Sequence, residues 1–323
     1  MYKAASIFIT CILFISCSSP TIVNQKTIGG NDKDEPQSMC LTNDGGFIVA
    51  GNSFSQKSGE KLTDNRGFIY SDYWIIKFNA DGNIQWQKTI GGDNLDFARS
   101  IVQTSDGGYI IAGESESDVS GDKTENCRGS SDIWVVKIDS IGNVMWDKTF
   151  GGSSTEICTA IKQTKYGEYI IAGASNSNIS GEKSQNCHGD FDFWVLKLNN
   201  RGNLEWDKTI GGNNFEYCGA MELADDGAVV CGTTASDNTL GKMKIHPGCF
   251  VAKLDINGNL QWEKVFRNWG MFLGISRTTD NDFVLSGFCD SAKGHIWIVK
   301  IDNRGENYGI KLLEEWVMNN HDV

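Results

Sequence analysis

Four short stretches rich in apolar and aromatic residues recur along the chain in a constant order, separated by polar turns. In the clearest repeat they are residues 100–104, 109–114, 132–139 and 144–150. β-Branched and aromatic residues dominate these stretches, and Gly, Asn and Asp separate them, which favours strands over helices. The pattern predicts four antiparallel strands per repeat, of which the second and third are covered on both faces.

An aligned lysine in the fourth stretch gives the period of the repeat. Lys88, Lys148 and Lys208 follow one another at intervals of 60 residues, and Lys264 follows after 56. A period of this length is typical of propellers, solenoids or arrays. Five repeats of four strands predict an all-β fold, a five-bladed β-propeller of four-stranded antiparallel blades over residues 23–312. The predicted blades span about 37–90, 98–150, 158–210, 217–266 and 273–312.

The ring of blades is expected to close through the N-terminal strand. Residues 23–28 resemble a fourth strand but precede any first strand, and Gly309 stands where the other repeats have a tryptophan. We therefore expect residues 23–28 to complete the last blade as its outer strand. The alternative is that residues 308–312 fill that place. Residues 313–323 have no counterpart in the repeat and are expected to form a C-terminal tail or a short helix.

Two family resemblances support this fold. Residues 139–146, Asp-Ser-Ile-Gly-Asn-Val-Met-Trp, resemble the docking motif of the pyrroloquinoline-quinone propeller repeat, in which the tryptophan packs between blades. Residues 98–113 followed by 132–142 resemble the delta-sixty class of bacterial repeats, found in secreted and lipid-anchored proteins. The shared residues are structural, so the resemblance implies the fold and not a function. It does not imply the quinone, because the cofactor-binding residues of quinoprotein dehydrogenases are absent.

The N-terminus predicts export and a lipid anchor. Lys3 precedes an apolar stretch over residues 4–15 that is too short to span a bilayer, and residues 13–17 resemble a bacterial lipoprotein signal. We expect residues 1–16 to be a signal peptide and residues 17–22 a tether lipidated at Cys17. This places the protein in the bacterial cell envelope, as an outer-membrane lipoprotein facing the periplasm or the surface. The alternative is a secretory signal cut nearby, with Cys17 unmodified.

Net charge narrows the classes of partner. The formal charge of −12 argues against nucleic acid and against anionic membrane surfaces, because both attract a basic face. It does not identify a cationic partner, since an acidic surface also serves solubility.

Cysteine spacing predicts two disulfides that join neighbouring blades. Cys127 and Cys158 are 31 residues apart, as are Cys187 and Cys218. In each pair the first cysteine lies in a loop between the second and third strands, and the second begins the next blade. The first repeat lacks the loop cysteine and has Ala98 at the partner position. Bridges are therefore expected in an exported protein, with four free thiols as the alternative.

Candidate binding residues lie at the loop end of the blades, where one aspartate recurs just before each third strand. The candidate binding rim consists of Asp72, Asp132, Asp192, Arg66, Arg128 and His188. Calcium is the cation that such a rim would hold, but no loop has the alternating oxygen ligands of a calcium motif. We therefore expect no cofactor and no metal site, and a capping or turn role is favoured for the aspartates.

No catalytic constellation is visible in the sequence. The histidines lack a metal-binding spacing, no nucleophile elbow is present, and no two carboxylates are marked out for glycoside hydrolysis. The recurrent tryptophans are expected to pack between blades rather than stack on carbohydrate. The favoured function is a non-catalytic, lipid-anchored module that binds a protein or glycan through the long loops of blades one to three. The alternatives are a glycan-active enzyme or lectin, and a passive envelope protein.

Overall fold

The computed structural model describes most of the predicted repeat region. The described residues are 25–236, 248–266, 270–289 and 295–312, and of residues 307–312 only the backbone is described. The predicted signal peptide, the tether with Cys17 and residues 313–323 lie outside the described residues. Within the described ranges, no helix has both the length and the apolar character needed to cross a membrane.

The described chain is all-β and forms five four-stranded antiparallel sheets, numbered 1 to 5 in chain order. Sheet 1 consists of β1 (Asp34–Leu41), β2 (Phe47–Ser53), β3 (Asp72–Phe78) and β4 (Ile84–Ile90). Sheet 2 consists of β5 (Asp96–Gln103), β6 (Tyr109–Ser115), β7 (Asp132–Ile138) and β8 (Val144–Phe150). Sheet 3 consists of β9 (Glu156–Gln163), β10 (Tyr169–Ser175), β11 (Asp192–Leu198) and β12 (Leu204–Ile210).

Sheets 4 and 5 repeat the same order of strands. Sheet 4 consists of β13 (Glu216–Ala224), β14 (Gly227–Thr234), β15 (Gly248–Asp255) and β16 (Leu260–Phe266). Sheet 5 consists of β17 (Gly270–Arg277), β18 (Phe283–Cys289), β19 (His295–Ile301) and β20 (Asn307–Leu312). The strand pattern predicted from the sequence is confirmed in every repeat.

Consecutive sheets pack face to face, and the arrangement is propeller-like. The first strand of each following sheet lies against the first three strands of the sheet before it. Between sheets 1 and 2, Ile48 and Tyr73 pack against Trp134 and Val136 in one buried cluster. The second and third strands of sheet 2 are buried along their whole length, as their continuous apolar sequence predicts.

A tryptophan in the fourth strand of each of sheets 1 to 4 joins its sheet to the next one. The Trp86 indole donates a hydrogen bond to Ser140 O at 3.2 Å and lies against Gly142. Gly142 has a φ of 84°, and a Cβ there would stand 2.9 Å from the indole ring, so glycine is required on both counts. The third-strand tryptophans, such as Trp134, are fully buried. Packing between sheets is therefore the role of these side chains.

The fourth strand of sheet 5 comes from the C-terminal part of the chain, which corrects the expectation for residues 23–28. β20 pairs with β19 in antiparallel register, with Leu312 opposite Trp297. Residues 25–30 form no strand, and Ile28 instead packs against Trp74 and its neighbours in sheet 1. The physical reason is proximity, because β20 follows β19 through one tight turn and needs no long-range loop closure.

Candidate functional site

The long loops between second and third strands, residues 54–71, 116–131 and 176–191, form one end of sheets 1 to 3. The three aspartates predicted on a binding rim there are fully buried: Asp72, Asp132 and Asp192. Asp132 Oδ2 accepts the backbone N–H of Arg128 at 2.8 Å. In the same way, Asp72 Oδ2 accepts the backbone N–H of Arg66 at 2.6 Å, and Asp192 Oδ2 accepts that of His188 at 2.7 Å. These buried carboxylates hold the loops in place, and the binding role of the rim stays a prediction.

Each of these aspartates lies beside a second buried carboxylate from the first strand of the next sheet. The pairs are Asp72 with Asp96, Asp132 with Glu156, and Asp192 with Glu216. Burial, together with the charge of Asp96, raises the pKa of Asp72 to about 7. Burial, assisted by Glu156, raises the pKa of Asp132 to about 6. Two carboxyl groups this close favour one shared proton over two charges.

A lysine from each long loop is buried close to these carboxylates: Lys61, Lys123 and Lys183. Lys123 Nζ donates to Glu125 O at 2.8 Å and to Thr149 Oγ1 at 2.5 Å, and lies 5.9 Å from the centroid of Trp134. Burial lowers the pKa of Lys123. The sequence predicts a turn at residues 120–123, and the bridge between Ser120 and Lys123 confirms it. The buried lysine was missed, although its recurrence in three loops was the available signal.

Ion pairs connect the long loops of neighbouring sheets. Arg66 Nε lies 2.9 Å from Asp122 Oδ2, and Arg128 Nη2 lies 2.7 Å from Glu182 Oε1. The two arginines of the predicted rim are therefore engaged between loops. Among the described residues, no group of three His, Cys, Asp or Glu side chains is placed to hold a metal ion.

Two exposed apolar side chains stand at the tip of the first long loop. Phe68 is 85% exposed and Ile69 is 67% exposed. Between the loop glycine and the third-strand aspartate, the first loop has residues 68–71 where the second has only Ser130 and Ser131, and Ser131 is the equivalent of Ser71. The second long loop thus has no counterpart of the apolar pair. An exposed apolar pair of this kind is a common mark of a contact surface.

The first strands line the inner edge of the stack, because they contact one another from sheet to sheet. Every first strand carries a β-bulge at the same place, between the residues equivalent to Ala98 and Ser100. The extra residues are Gln37, Arg99, Thr159, Gly219 and Leu273. A bulge re-aims a side chain and often lies next to a functional site. Arg99 is the charged member of these five, and sequence reasoning missed it.

Arg99 forms a closely fitted ion pair with Glu114. Arg99 Nη2 lies 2.9 Å from Glu114 Oε2, and Nε donates to both carboxylate oxygens at 3.0 and 3.1 Å. Glu114 also accepts the backbone N–H of Cys158 at 3.0 Å, and the Arg99 guanidinium carbon lies 5.9 Å from the Phe97 ring. Burial raises the pKa of Glu114, and Arg99 opposes that shift.

A cavity of about 280 Å³ opens beside this ion pair, at the long-loop end of sheets 2 to 4. Its walls include Phe97, Arg99, Glu114, Glu116, Ile157 and Tyr217. The cavity combines aromatic surface with a paired cation and anion, which is a suitable lining for a small polar ligand.

The predicted disulfides are not formed in the structure. Cys127, Cys158, Cys187 and Cys218 are free thiols. Cys158 and Cys218 are buried between sheets, whereas Cys127 Sγ lies 3.5 Å from two backbone oxygens of its own sheet and loop. The equal spacing of the two pairs reflects equivalent places in the repeat.

Comparisons with known proteins agree with the architecture. The chain is similar to a solved protein of unknown function from Dyadobacter fermentans DSM 18053, at 13% identity and a TM-score of 0.54, over 86% of this chain and 82% of that one. It is also similar to the Neurospora crassa Pan2 WD40 domain, at 12% identity and a TM-score of 0.46, over 86% and 81% of the two chains. At 13% identity the similarity to the Dyadobacter fermentans protein concerns the fold alone.

The sequence comparison is more limited in extent. A stretch of 138 residues is 22% identical to the regulatory protein FlaEY of Caulobacter vibrioides, covering 41% of this chain and 14% of that protein. No family model matches the chain.

Proposed function

We propose that the protein is a lipid-anchored component of the bacterial cell envelope, in which a five-bladed propeller acts as a non-catalytic module that binds a protein or glycan. The single observation that carries this proposal is the exposed pair Phe68 and Ile69 on a fixed loop. An apolar pair held on a rigid support loses little conformational entropy when a partner covers it, which favours binding. The acidic surface favours a protein or glycan partner over nucleic acid.

The rigidity of the support follows from the loop contacts. The lysine Lys61 is 1% exposed and donates to Asn65 Oδ1 at 2.8 Å, which fixes the loop that carries Phe68. The ion pair from Arg66 to Asp122 then connects this loop to the next one. The lengths of the loops predict that the partner binds at the long loops of sheets 1 to 3.

A non-catalytic role fits two of the three carboxylates that line the cavity, Glu114 and Glu156, the third being Glu116. Glu114 is engaged by Arg99, and Glu156 accepts the backbone N–H of Gly152 at 2.8 Å beside Asp132. Neither is positioned as a second free carboxylate, which a glycoside hydrolase would need.

Closure of the ring between sheets 5 and 1 belongs to the same proposal. Residues 25–30 contact the first long loop as residues 87–92 contact the second, since the N–H of Glu60 donates to Gly29 O at 3.0 Å as that of Asp122 donates to Gly91 O at 2.9 Å. Residues 25–30 therefore lie against sheet 1 in the way that residues 87–92 lie against sheet 2. The lipidated tether would reach only about 20 Å over residues 17–22, at roughly 3.3 Å per residue, and would keep the domain near its membrane.

Capture from native envelope extract tests the binding function. We expect the full protein to retain a reproducible partner, and the double variant Phe68→Ser with Ile69→Ser to lose it. Ile141→Ser is the matched control, because Ile141 is 62% exposed in the turn between the third and fourth strands of sheet 2, away from the long loops. Equal capture by the double variant would contradict this surface, and the absence of any partner would favour the passive envelope role.

A further inference from the structure

We propose that the cavity beside Arg99 and Glu114 binds a neutral sugar ring, such as one hexopyranose unit of a glycan. This inference rests on the proposed binding function and names a ligand for one place on the long-loop face. It concerns residues that are separate from the exposed pair Phe68 and Ile69, so the two surfaces can be tested independently.

The ion pair is not a general feature of the repeat, although Glu114 also accepts the backbone N–H of Cys158 as Asn52 in sheet 1 accepts that of Ala98. The residues of sheet 3 at the positions of Arg99 and Glu114 are Thr159 and Ala174. Sheet 3 nevertheless forms the same four strands with the same bulge. In a chain with strong repeats, a charged pair that departs from the repeat and borders a cavity is a sign of selection for a ligand.

The charges that line the cavity argue against an anionic ligand, because the guanidinium of Arg99 shares the lining with the carboxyl groups of Glu114, Glu116 and Glu156. The carboxylate of Glu114 largely compensates Arg99, so the guanidinium is a weak site for an anion. Arg99 Nη1 makes no hydrogen bond within the described residues and is available to an oxygen of a ligand. A hydroxyl group accepts from a guanidinium and donates to a carboxylate, so a neighbouring pair of hydroxyls fits this cation and anion.

The shape and walls of the cavity favour a ring with an apolar face. Phe97 and Tyr217 provide aromatic surface, and Ile157 adds an aliphatic side chain. The C–H face of a pyranose packs on such surfaces while its hydroxyls reach the polar groups. A volume of about 280 Å³ lies just below the range of roughly 300–1,000 Å³ that is usual for ligand pockets, so a single ring fits better than a larger compound.

Titration of the full protein with methyl glycosides of glucose, galactose, mannose and N-acetylglucosamine tests the proposal. We expect saturable binding of at least one sugar, with a dissociation constant on the order of 1 mM for a single ring. Glucuronate and glucosamine serve as charged probes. Tighter binding of glucuronate would show an anion site, tighter binding of glucosamine would show a cation site at Glu116, and either result would overturn the proposal. So would the absence of saturation at about ten times that concentration.

A double variant that places the residues of sheet 3 at positions 99 and 114 of sheet 2 gives the sharper experiment. Arg99→Thr with Glu114→Ala is expected to fold, because sheet 3 carries these residues, and to weaken sugar binding at least tenfold. The control is Lys162→Gln with Glu222→Gln, which removes another ion pair between first strands, 3.2 Å long and outside the cavity. Unchanged sugar binding by the first variant would refute the site. Retained capture of a protein partner alongside lost sugar binding would separate this inference from the proposed function.

Discussion

The Cα of Gly151 lies so close to the carboxylate of Asp132 that a Cβ on this glycine would stand 2.2 Å from Asp132 Oδ1. The same Cβ would stand 2.7 Å from Glu156 Oε2. Gly91 and Gly211 have the same relationship to the carboxylates of their own junctions. The first glycine after the fourth strand in each of sheets 1 to 3 therefore leaves room for the buried carboxylates where one sheet passes to the next.

Substitution of Gly151 by alanine is expected to lower the free energy of unfolding by about 1–3 kcal/mol, since overpacking forces the backbone or a buried carboxylate to move. Denaturant titration measures the change. Gly29→Ala is the matched control, because a Cβ there would stand 3.1 Å from Asp34 Oδ2 and would need only a small adjustment. Equal effects of the two substitutions would contradict the role of the close approach at Gly151.

The buried carboxylate pairs predict that the protein loses stability as the pH rises from about 5 to 8. In the folded state the pKa of Asp72 is about 7 and that of Asp96 about 6, mainly because burial disfavours the charge. The unfolded chain binds fewer protons in this interval, because its aspartates titrate near 3.8. This stabilisation is therefore complete below about pH 4 and is lost as the pH rises through the folded values.

Melting temperatures across this pH interval measure the dependence. The substitution Asp72→Asn removes one titrating group and is expected to reduce the slope, whereas Asp81→Asn at an exposed turn leaves the slope unchanged. A melting temperature that rises steadily between pH 5 and 8 would be incompatible with the raised pKa values of these carboxyl groups.

Local patterns were sufficient to predict the strands and the packing of the tryptophans. The position of Trp86 beside Gly142 follows from the motif itself, because the turn and the ring recur together. The burial of Asp132 and Lys123 could not be read in the same way. Aspartate and lysine are residue types that usually lie on the surface. They become buried here because a long loop closes over the next sheet and brings the two side chains into the interior. Repetition alone does not separate a binding rim from a structural joint.

The disulfide prediction failed for a related reason. Cysteines at equal spacing occupy equivalent places in every repeat whether or not they touch, so spacing cannot distinguish a bond from symmetry. Cys158 points into the core between sheets 2 and 3, where its neighbours include Ile110 and Val135. Cys127 is held in its loop by backbone contacts.

We expect Cys127, Cys158, Cys187 and Cys218 to be free thiols in the native protein. Burial raises the pKa of Cys158 and Cys218, in the latter case to about 12, so both should react slowly with alkylating reagents before unfolding. Peptide mapping after alkylation of unfolded, unreduced protein should find all four residues modified. A peptide pair linked through Cys127 and Cys158 would instead restore the predicted bridge.

The proposed closure of the ring makes a specific prediction for Ile296. The second residue of the third strand is fully buried in sheets 1 to 4, for example Tyr73 and Ile133, whereas Ile296 at this position of sheet 5 is 67% exposed. If sheet 5 packs against sheet 1 in solution, Ile296 is covered as its equivalents are. The substitution Ile296→Asp would then lower the free energy of unfolding by about 2 kcal/mol or more, because it would bury a charge in place of an apolar side chain.

Ile141→Asp is the control, since Ile141 is 62% exposed in a turn and its substitution should cost less than about 0.5 kcal/mol. Equal, small effects in denaturant titrations of the two variants would mean that this face of sheet 5 stays in contact with water and that the ring is open.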